Sequence, residues 1–529
     1  MFIRTTIRKY KDRQYKSISL ANNYRENGKI KTRIISNITN WPDELIEEFR
    51  GLLKGKKVTN LDDFKQTQGK SCGALLVINA ICNELGITKT LGNSKQAKLA
   101  LFQIMGRIIN QGSRLKLASE WVFDQAVEEV LGLDNFNEDT LYKNLDWLSE
   151  NQEKIEDKIF KYRYPECKEL TIYLYDVTSS YFEGSKNELA DYGYNRDGKH
   201  GKKQIVIGLL CDEMGYPISV EVFKGNTADN KTVVNQLHKL KERFSIENVI
   251  FVGDKGMIKS KQIDQINELN WYYITSITKG QINTLLKEEI IQLGLFDNTI
   301  SEVEQSGIRY ILRKNPIRAD EIKNNRDSRI AFIKKAIRKK NEYLAAHPRA
   351  KVDKAFEQLL KLVKKRGMDG IFEFKIKEDE RTVDYLINEE KVEENSMLDG
   401  CYVIKSNAPK SLATAQTIHD RYKELSNVEL AFRTLKTSME EIRPIFLRKE
   451  SRTRGHVFVC MLAYMVVKNI WEKCKNTGFT KDHIIKTLDK IQYRIYNKEK
   501  INLKLLPDEY LNHQNKILQA LEIKLPKQL

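Results

Sequence analysis

Two short apolar runs in the chain each stop at an acid. Thr171-Ile172-Tyr173-Leu174-Tyr175 is followed by Asp176, and Val249-Ile250-Phe251-Val252-Gly253 is followed by Asp254. β-forming residues dominate both runs, so each reads as a buried strand that ends by presenting a carboxylate. If the two strands are parallel neighbours, the acids lie side by side at the carboxyl edge of the sheet, where ligand sites of α/β folds gather. Gly256 lets the backbone turn sharply past Asp254. For either acid alone, the ordinary alternative is a capping Asp.

A third acid should come from a helix laid across that edge, and the segment Tyr422 to Lys436 supplies one. At about 100° per residue, positions seven apart nearly superimpose. Tyr422, Glu429 and Lys436 therefore share one line, Arg433 lies close beside it, and Val428, Phe432 and Leu435 form an adjacent apolar stripe. Carboxylate oxygens suit Mg²⁺, and Lys and Arg suit phosphate oxygens. This mixture predicts a metal ion and a phosphate in one place. A plain Glu429–Arg433 surface pair is the alternative for the helix taken alone.

The elements that must position these groups follow from periodicity. Strands are predicted at 171–175, 204–211, 217–223, 248–253 and 271–277, with an amphipathic helix over Lys231 to Phe244 and a shorter one over Lys259 to Leu269. Strands joined first by turns and then by helices imply a mixed five-stranded sheet covered by helices. Thr227 or Asp229 reads as a cap for the first of those helices. Lys199, Lys202 and Lys203 sit on the loop before the second strand, as DNA-backbone contacts or as a solvated hairpin. Residues 281–396 interrupt the core with a densely charged insertion, strongly basic around Lys334–Lys340 and Lys361–Arg366 and without an apolar stripe wide enough for a large core. A strand resumes at Asp399–Ile404, and helices are predicted over 412–440 and 452–475.

The flanks divide similarly. Residues 1–66 read as a β-hairpin arm, with a type I′ turn at Asn27-Gly28 and basic residues Arg4, Arg8, Lys9, Lys11 and Arg13. Residues 67–165 read as helices, with Asn137 capping a short one. This region, with Arg107, Arg114 and Lys116, is the better candidate for reading DNA sequence. The tail 476–529 reads as helical and basic. Buried-helix character explains Val457–Val467, which is too short for a membrane span, and His456 before it reads as a hydrogen-bonded packing residue. About two to four domains are expected at this length.

Composition narrows the class. The chain has 529 residues and a net charge of +18, from 90 Lys+Arg against 72 Asp+Glu, which suggests a polyanionic partner such as nucleic acid. Low-GC coding bias toward Lys is the alternative source of that excess. Its seven cysteines include no CxxC pair, which argues against a disulfide framework or thiolate zinc site and for a reducing cytoplasm. The N-terminal MFIRTTIRKYK lacks an apolar signal core, so export is not expected.

As an ordered set, these residues resemble the DDE transposases of bacterial insertion sequences, in the group whose hallmark is Y-x2-R-x3-E-x6-K. Tyr422, Glu429 and Lys436 match that spacing. Asp176-Val177-Thr178 is similar to the first motif of the family. Gly225-Asn226-Thr227-Ala228-Asp229 and Asp254-Lys255-Gly256-Met257 are similar to its second region. Asp399–Val403 and Arg454–Val457 resemble a sub-group with a long helical insertion before the Glu. Two positions depart: Leu425 stands where the motif has Arg, and Ser426 where Trp often follows.

The resemblance implies an α/β, ribonuclease-H-like core over 166–280 and 397–475, in which Asp176, Asp254 and Glu429 hold two Mg²⁺ ions, with Mn²⁺ as a substitute. It implies cleavage at the element's ends and joining of 3′ ends to target DNA by two-metal-ion catalysis. Tyr422, Arg433 and Lys436 would hold terminal phosphates, with Lys202, Lys203, Asn226, Arg114 and Lys116 as further DNA contacts. Partners implied are double-stranded DNA, as transposon end and target, and a second copy of the chain in a synaptic complex. No membrane is involved, and the location is cytoplasmic, at the nucleoid. A metal-dependent nuclease of the same fold without strand transfer, or a decayed DNA-binding protein, are the rival readings.

Overall fold

The computed structural model describes residues 1–10, 13–55, 64–165, 171–184, 186–437, 445–498 and 501–529, so Lys11 of the basic arm lies outside the described residues. These residues divide into two compact units, Met1–Gly69 with Gln492–Asp508 and Pro526–Leu529, and Lys70–Ile491 with Glu509–Leu525. In the smaller unit, β1 (Phe2–Tyr10), β2 (Arg13–Glu26) and β3 (Lys29–Asn37) form an antiparallel meander. The predicted Asn27-Gly28 turn joins β2 to β3, with both residues at positive φ as a type I′ turn requires. The arm is more than a hairpin. A third strand and the helix Asp43–Leu53 close over Ile3, Ile18, Ile38 and Ile46. Downstream runs β4 (Lys65–Ser71).

In the larger unit the strand β5 (Thr171–Tyr181) is followed by β6 (Gln204–Asp212), β7 (Pro217–Lys224), β8 (Val249–Gly253) and β9 (Tyr272–Ser276). β5–β6 and β6–β7 pair antiparallel, while β5–β8 and β8–β9 pair parallel, in the spatial order β7-β6-β5-β8-β9. This is a ribonuclease-H-like core. β6 is buried along its whole length, as a central strand covered on both faces should be. One face packs Tyr173, Tyr175, Val177 and Phe251 under Val233, Leu237 and Ile266 of the crossover helices Asp229–His238 and Ser260–Glu268.

The sheet is wider than five strands. β10 (Ser301–Gln305) and β11 (Ile308–Lys314), inside the presumed insertion, join it, and the order becomes β10-β11-β14-β9-β8-β5-β6-β7 with β14 at Cys401–Ser406. β11 carries Tyr310 and Leu312, which bury against Ile277, Ile282 and Val403, while Ile311 between them is buried on the other face. The insertion proper is then the helices Pro316–Ala346 and Val352–Lys365 with the hairpin β12 (Phe372–Lys377) and β13 (Thr382–Ile387). It does own a small core, of Ile333, Ile337, Leu359, Val363, Phe372 and Val383. The apolar positions are split between two helices and a hairpin, so no single stripe reveals it.

Helices N-terminal to the sheet belong to the same compact unit. Asn137 does cap a helix, through a capping box with Thr140, but the helix is long, Glu138–Arg163. Its apolar stripe of Leu141, Leu145 and Leu148 resumes at Ile155 and Ile159 after a polar stretch. It packs on the buried helix Glu450–Cys474, which contains the Val457–Val467 run. Among the described residues no helix is long and apolar enough to cross a membrane. The C-terminal tail is not wholly helical. β15 (Gln492–Lys498) and β16 (Ile501–Leu505) pair with β4 in the order β16-β15-β4, because Tyr493, Ile495 and Tyr496 favour a strand.

Gly455 sets the approach of the two long helices: a Cβ there would lie 2.1 Å from the backbone oxygen of Leu145. Backbone cannot yield as a flexible side chain can. Gly455→Ala should therefore destabilise the larger unit by about 1–3 kcal/mol. An unchanged thermal unfolding midpoint would show that the helices separate without cost.

Candidate active site

Register decides the first two acids. Tyr175 of β5 pairs with Gly253 of β8 in parallel, so the residues that follow, Asp176 and Asp254, are neighbours. The strand β5 does not end at Asp176, however. It runs on to Tyr181 against β6, so Asp176 is a mid-strand residue while Asp254 begins a turn. Because strand side chains alternate, and Tyr175 and Val177 enter the core under the crossover helices, Asp176 faces the other side. There the helix Leu425–Thr437 packs on β5.

That helix buries Val428, Ala431, Phe432 and Leu435 and leaves Glu429 and Arg433 exposed. Tyr422 is not on it. The predicted single helix breaks at Glu424 into Ala415–Lys423 and Leu425–Thr437. Even so, Asp176, Asp254, Glu429, Tyr422, Arg433 and Lys436 all line one cavity of about 680 Å³. The Tyr422 hydroxyl donates to Ser276 Oγ at 2.7 Å and lies 3.4 Å from Asp254 Oδ1. Burial pushes that phenol up to about 12.

The acids repel. Burial first, and then the charges of Glu429 and Asp254, push Asp176 from 3.8 up to about 7, against a backbone hydrogen bond from Val177 N at 2.8 Å and the nearby Arg196. Like charges brought near one another this way are eased by a proton or a cation. The donor set is all oxygen, which fits a hard divalent ion. Among the described residues no three Asp, Glu, His or Cys side chains stand grouped tightly enough to hold an ion. Asp254 and Glu429 are exposed, so their rotamers can move.

The other predicted contacts fall in different places. Lys436 is buried and its Nζ donates to Asp197 Oδ1 at 2.9 Å, while Asp197 Oδ2 accepts Tyr181 N at 3.1 Å. Lys436 thus ties helix to loop in this structure, and Arg433 is the more open cation on the wall. Lys202 pairs with Glu183 at 2.8 Å, Lys203 lies over the Tyr192 ring, and Asn226 donates to Asp191 at 2.8 Å. Arg114 is buried, bonded to Gln103 Oε1 at 3.1 Å and His456 Nδ1 at 3.0 Å, and burial lowers its guanidinium to about 9. It braces helices and is closed off from solvent, whereas Lys116 is exposed. Asp229 caps nothing with its side chain. The N-cap is Ala228, and the Asp229 carboxylate accepts from Arg196 Nη2 at 2.5 Å.

Several wall residues escaped the sequence reading: Arg196, Asn315, Tyr402 and Lys423. Asn315 caps the first insertion helix by accepting from Arg318 N at 3.1 Å, so the root of the insertion forms part of the wall. Behind Tyr402, buried His419 Nε2 lies 2.8 Å from the Tyr402 hydroxyl and 3.0 Å from Arg313 Nη1. An arginine only donates, so Nε2 accepts and the proton sits on Nδ1, facing Asp420. No spacing signal marks these residues, because each joins through a long-range contact.

Three acids line one cavity at the edge of a ribonuclease-H-like sheet, and sequence comparison gives the family. The chain belongs to the DDE transposases of bacterial insertion sequences: the Transposase DDE domain model matches residues 168–466, and the model for the IS1634 family transposase N-terminal domain matches residues 3–63. Among solved structures, a piggyBac transposase synaptic complex with hairpin DNA is similar over 79% of this chain and 76% of that one, at 10% identity and a TM-score of 0.38. A Mos1 transposase paired-end complex with the left transposon end covers 44% of this chain and 68% of that one, at 15% identity and a TM-score of 0.15. No curated protein sequence matches the chain.

Two outcomes follow from the electrostatics. Folded Asp176 keeps its proton to about pH 7, whereas the unfolded chain releases it near 3.8. The folded state therefore binds more protons between those values, and metal-free stability falls as pH rises through that window. Asp176→Asn should raise the unfolding midpoint in chelator at pH 8 and give no gain at pH 4. Each pKa unit is worth about 1.4 kcal/mol, so the gain is of the order of a few kcal/mol, and an equal midpoint at pH 8 would show that burial and neighbouring acids do not penalise the charged carboxylate. Conversely, Lys436→Met leaves Asp197 buried without this partner and should cost about 3–5 kcal/mol, read from the same unfolding curves.

Proposed function

We propose that the chain cleaves phosphodiester bonds at the ends of its insertion sequence and joins the 3′ ends to target DNA. The observation that carries this reading is the in-register parallel pairing of β5 and β8, with Glu429 on the helix that packs across Asp176. Asp176, Asp254 and Glu429 would hold divalent cations, Mg²⁺ by the oxygen donor set. When bound, such ions lower the cost of forming an attacking oxyanion and of releasing the leaving oxygen.

The chain's own side chains do the positioning. Tyr422, held by Ser276, limits where Asp254 can turn. Arg433 faces the cavity and offers a planar fork to a phosphate. Lys436 keeps the Asp197 loop against the helix and so preserves the wall. Ser426 lines the cavity in place of an aromatic, so no ring stands there for a base to stack on.

Double-stranded DNA is the substrate in this reading, as end and as target, and the net charge of +18 supports attraction to it. A homodimer would hold two ends at once, in the cytoplasm at the nucleoid. A nuclease without strand transfer shares the first chemical step. Supplying a pre-cleaved end with target plasmid separates them, since joined products require a transposase.

Asp254→Asn should abolish Mg²⁺-dependent nicking of a plasmid that carries the element's ends, while retention of those ends in a gel-shift assay persists. Nicking at the wild-type rate would refute the assignment of Asp254.

A further inference from the structure

The loop between β5 and β6 carries two aromatic residues followed by a run of basic ones: Tyr192 and Tyr194, then Arg196, Lys199, Lys202 and Lys203. Tyr192 is 62% and Tyr194 81% exposed. Isolated exposed tyrosines are ordinary. Here each ring has its own cation. Lys203 Nζ lies 5.7 Å from the Tyr192 centroid, and the Arg196 guanidinium lies 5.6 Å from that of Tyr194.

The loop is also held fixed. Asp191 and Gln204 exchange backbone hydrogen bonds at 3.0 and 2.9 Å. Gln204 Nε2 donates to Tyr194 O at 3.1 Å and to Gly225 O at 2.8 Å. Gly193, between the tyrosines, touches Gly225 so closely that a Cβ would lie 2.1 Å from its oxygen. Farther along, Arg196 N donates to Ser179 Oγ at 2.9 Å, and Asp197 takes Lys436. A backbone fixed this way presents its rings at a set place and loses little freedom on binding.

The platform adjoins the acids. Arg196 lies over Tyr194 and donates to Asp229 at 2.5 Å, and both Arg196 and Asp229 line the cavity. One side chain thus separates an exposed ring from the site of cleavage. Aromatic faces with adjoining cations are what unpaired bases and their phosphates recognise, whatever the sequence.

We propose that the loop Asp191–Gln204 is a stacking platform for an unpaired base of the DNA strand that enters the acid cavity, with Tyr192 and Tyr194 as the rings. The position of a base in the strand at the cavity rests on the transposase reading, but the affinity of the rings for unpaired bases can be measured apart from cleavage. The test uses the full chain in chelator, a short single-stranded oligonucleotide containing 2-aminopurine, and a duplex of the same sequence. Tyr192→Ala with Tyr194→Ala should weaken single-strand binding about tenfold, leave duplex binding unchanged and abolish quenching of 2-aminopurine. Tyr192→Phe with Tyr194→Phe should behave as wild type.

Single-strand affinity and quenching unchanged in the alanine pair would overturn the proposal, as would an equal loss on single strand and duplex. If the quenching is lost as expected while Asp254→Asn still nicks, the platform stands and the assignment of the acids fails. If Asp254→Asn is inert and the alanine pair still quenches, the acids stand and the platform fails.

Discussion

Everything at the candidate site depends on one pairing, the parallel register of β5 with β8. That register aligns Tyr175 with Gly253 and so forces two acids together. A one-residue slip would turn Asp176 to the opposite face, into the space now filled by Tyr175 and Val177. The apolar alternation of β5 therefore enforces the position of a charged group. Core packing on one face is what holds a repulsive arrangement on the other.

The repulsion is tolerated because the surroundings are stiff. β6, buried throughout, pins β5 on its other side. Val177 N and Lys255 N donate to Asp176 and Asp254, so both carboxylates keep a hydrogen bond while they face each other. Beyond them the wall is laced by buried or half-buried ion pairs, Lys436–Asp197 and Arg196–Asp229. Such pairs contribute little net stability after desolvation, but removing one partner is costly. Their effect here is geometric: helix, loop and strand cannot shift independently.

The insertion is joined to this wall as well as to the sheet. β10 and β11 extend the sheet through β14, and Asn315, the residue before the first insertion helix, lines the cavity. Arg326 of that helix bonds to Asp399 just before β14, with Lys279 also 3.4 Å from the same carboxylate. Gly400, at φ +73, leaves no room for a Cβ beside Asn315 O. The root of the insertion is thus clamped at the edge of the site, while its own apolar cluster around Ile333 and Leu359 sits farther out.

Much of this was legible in the chain. Asp176, Asp254, Glu429, the five core strands and the crossover helices follow from apolar runs, turn residues and the 7-residue spacing, which are local properties of the polypeptide. What the tertiary structure alone decided is which charges face one another. Arg114 and Lys436 carry the same charge as Lys116 and Arg433, yet the first two are buried against Gln103 and Asp197 and the others are exposed. The break at Glu424, the strands hidden in the insertion and the Tyr194–Arg196–Asp229 chain likewise depend on partners far away in sequence. Periodicity records which face a residue prefers, but burial and ion pairing are set by whatever arrives on that face, and that is known only once the chain has closed on itself.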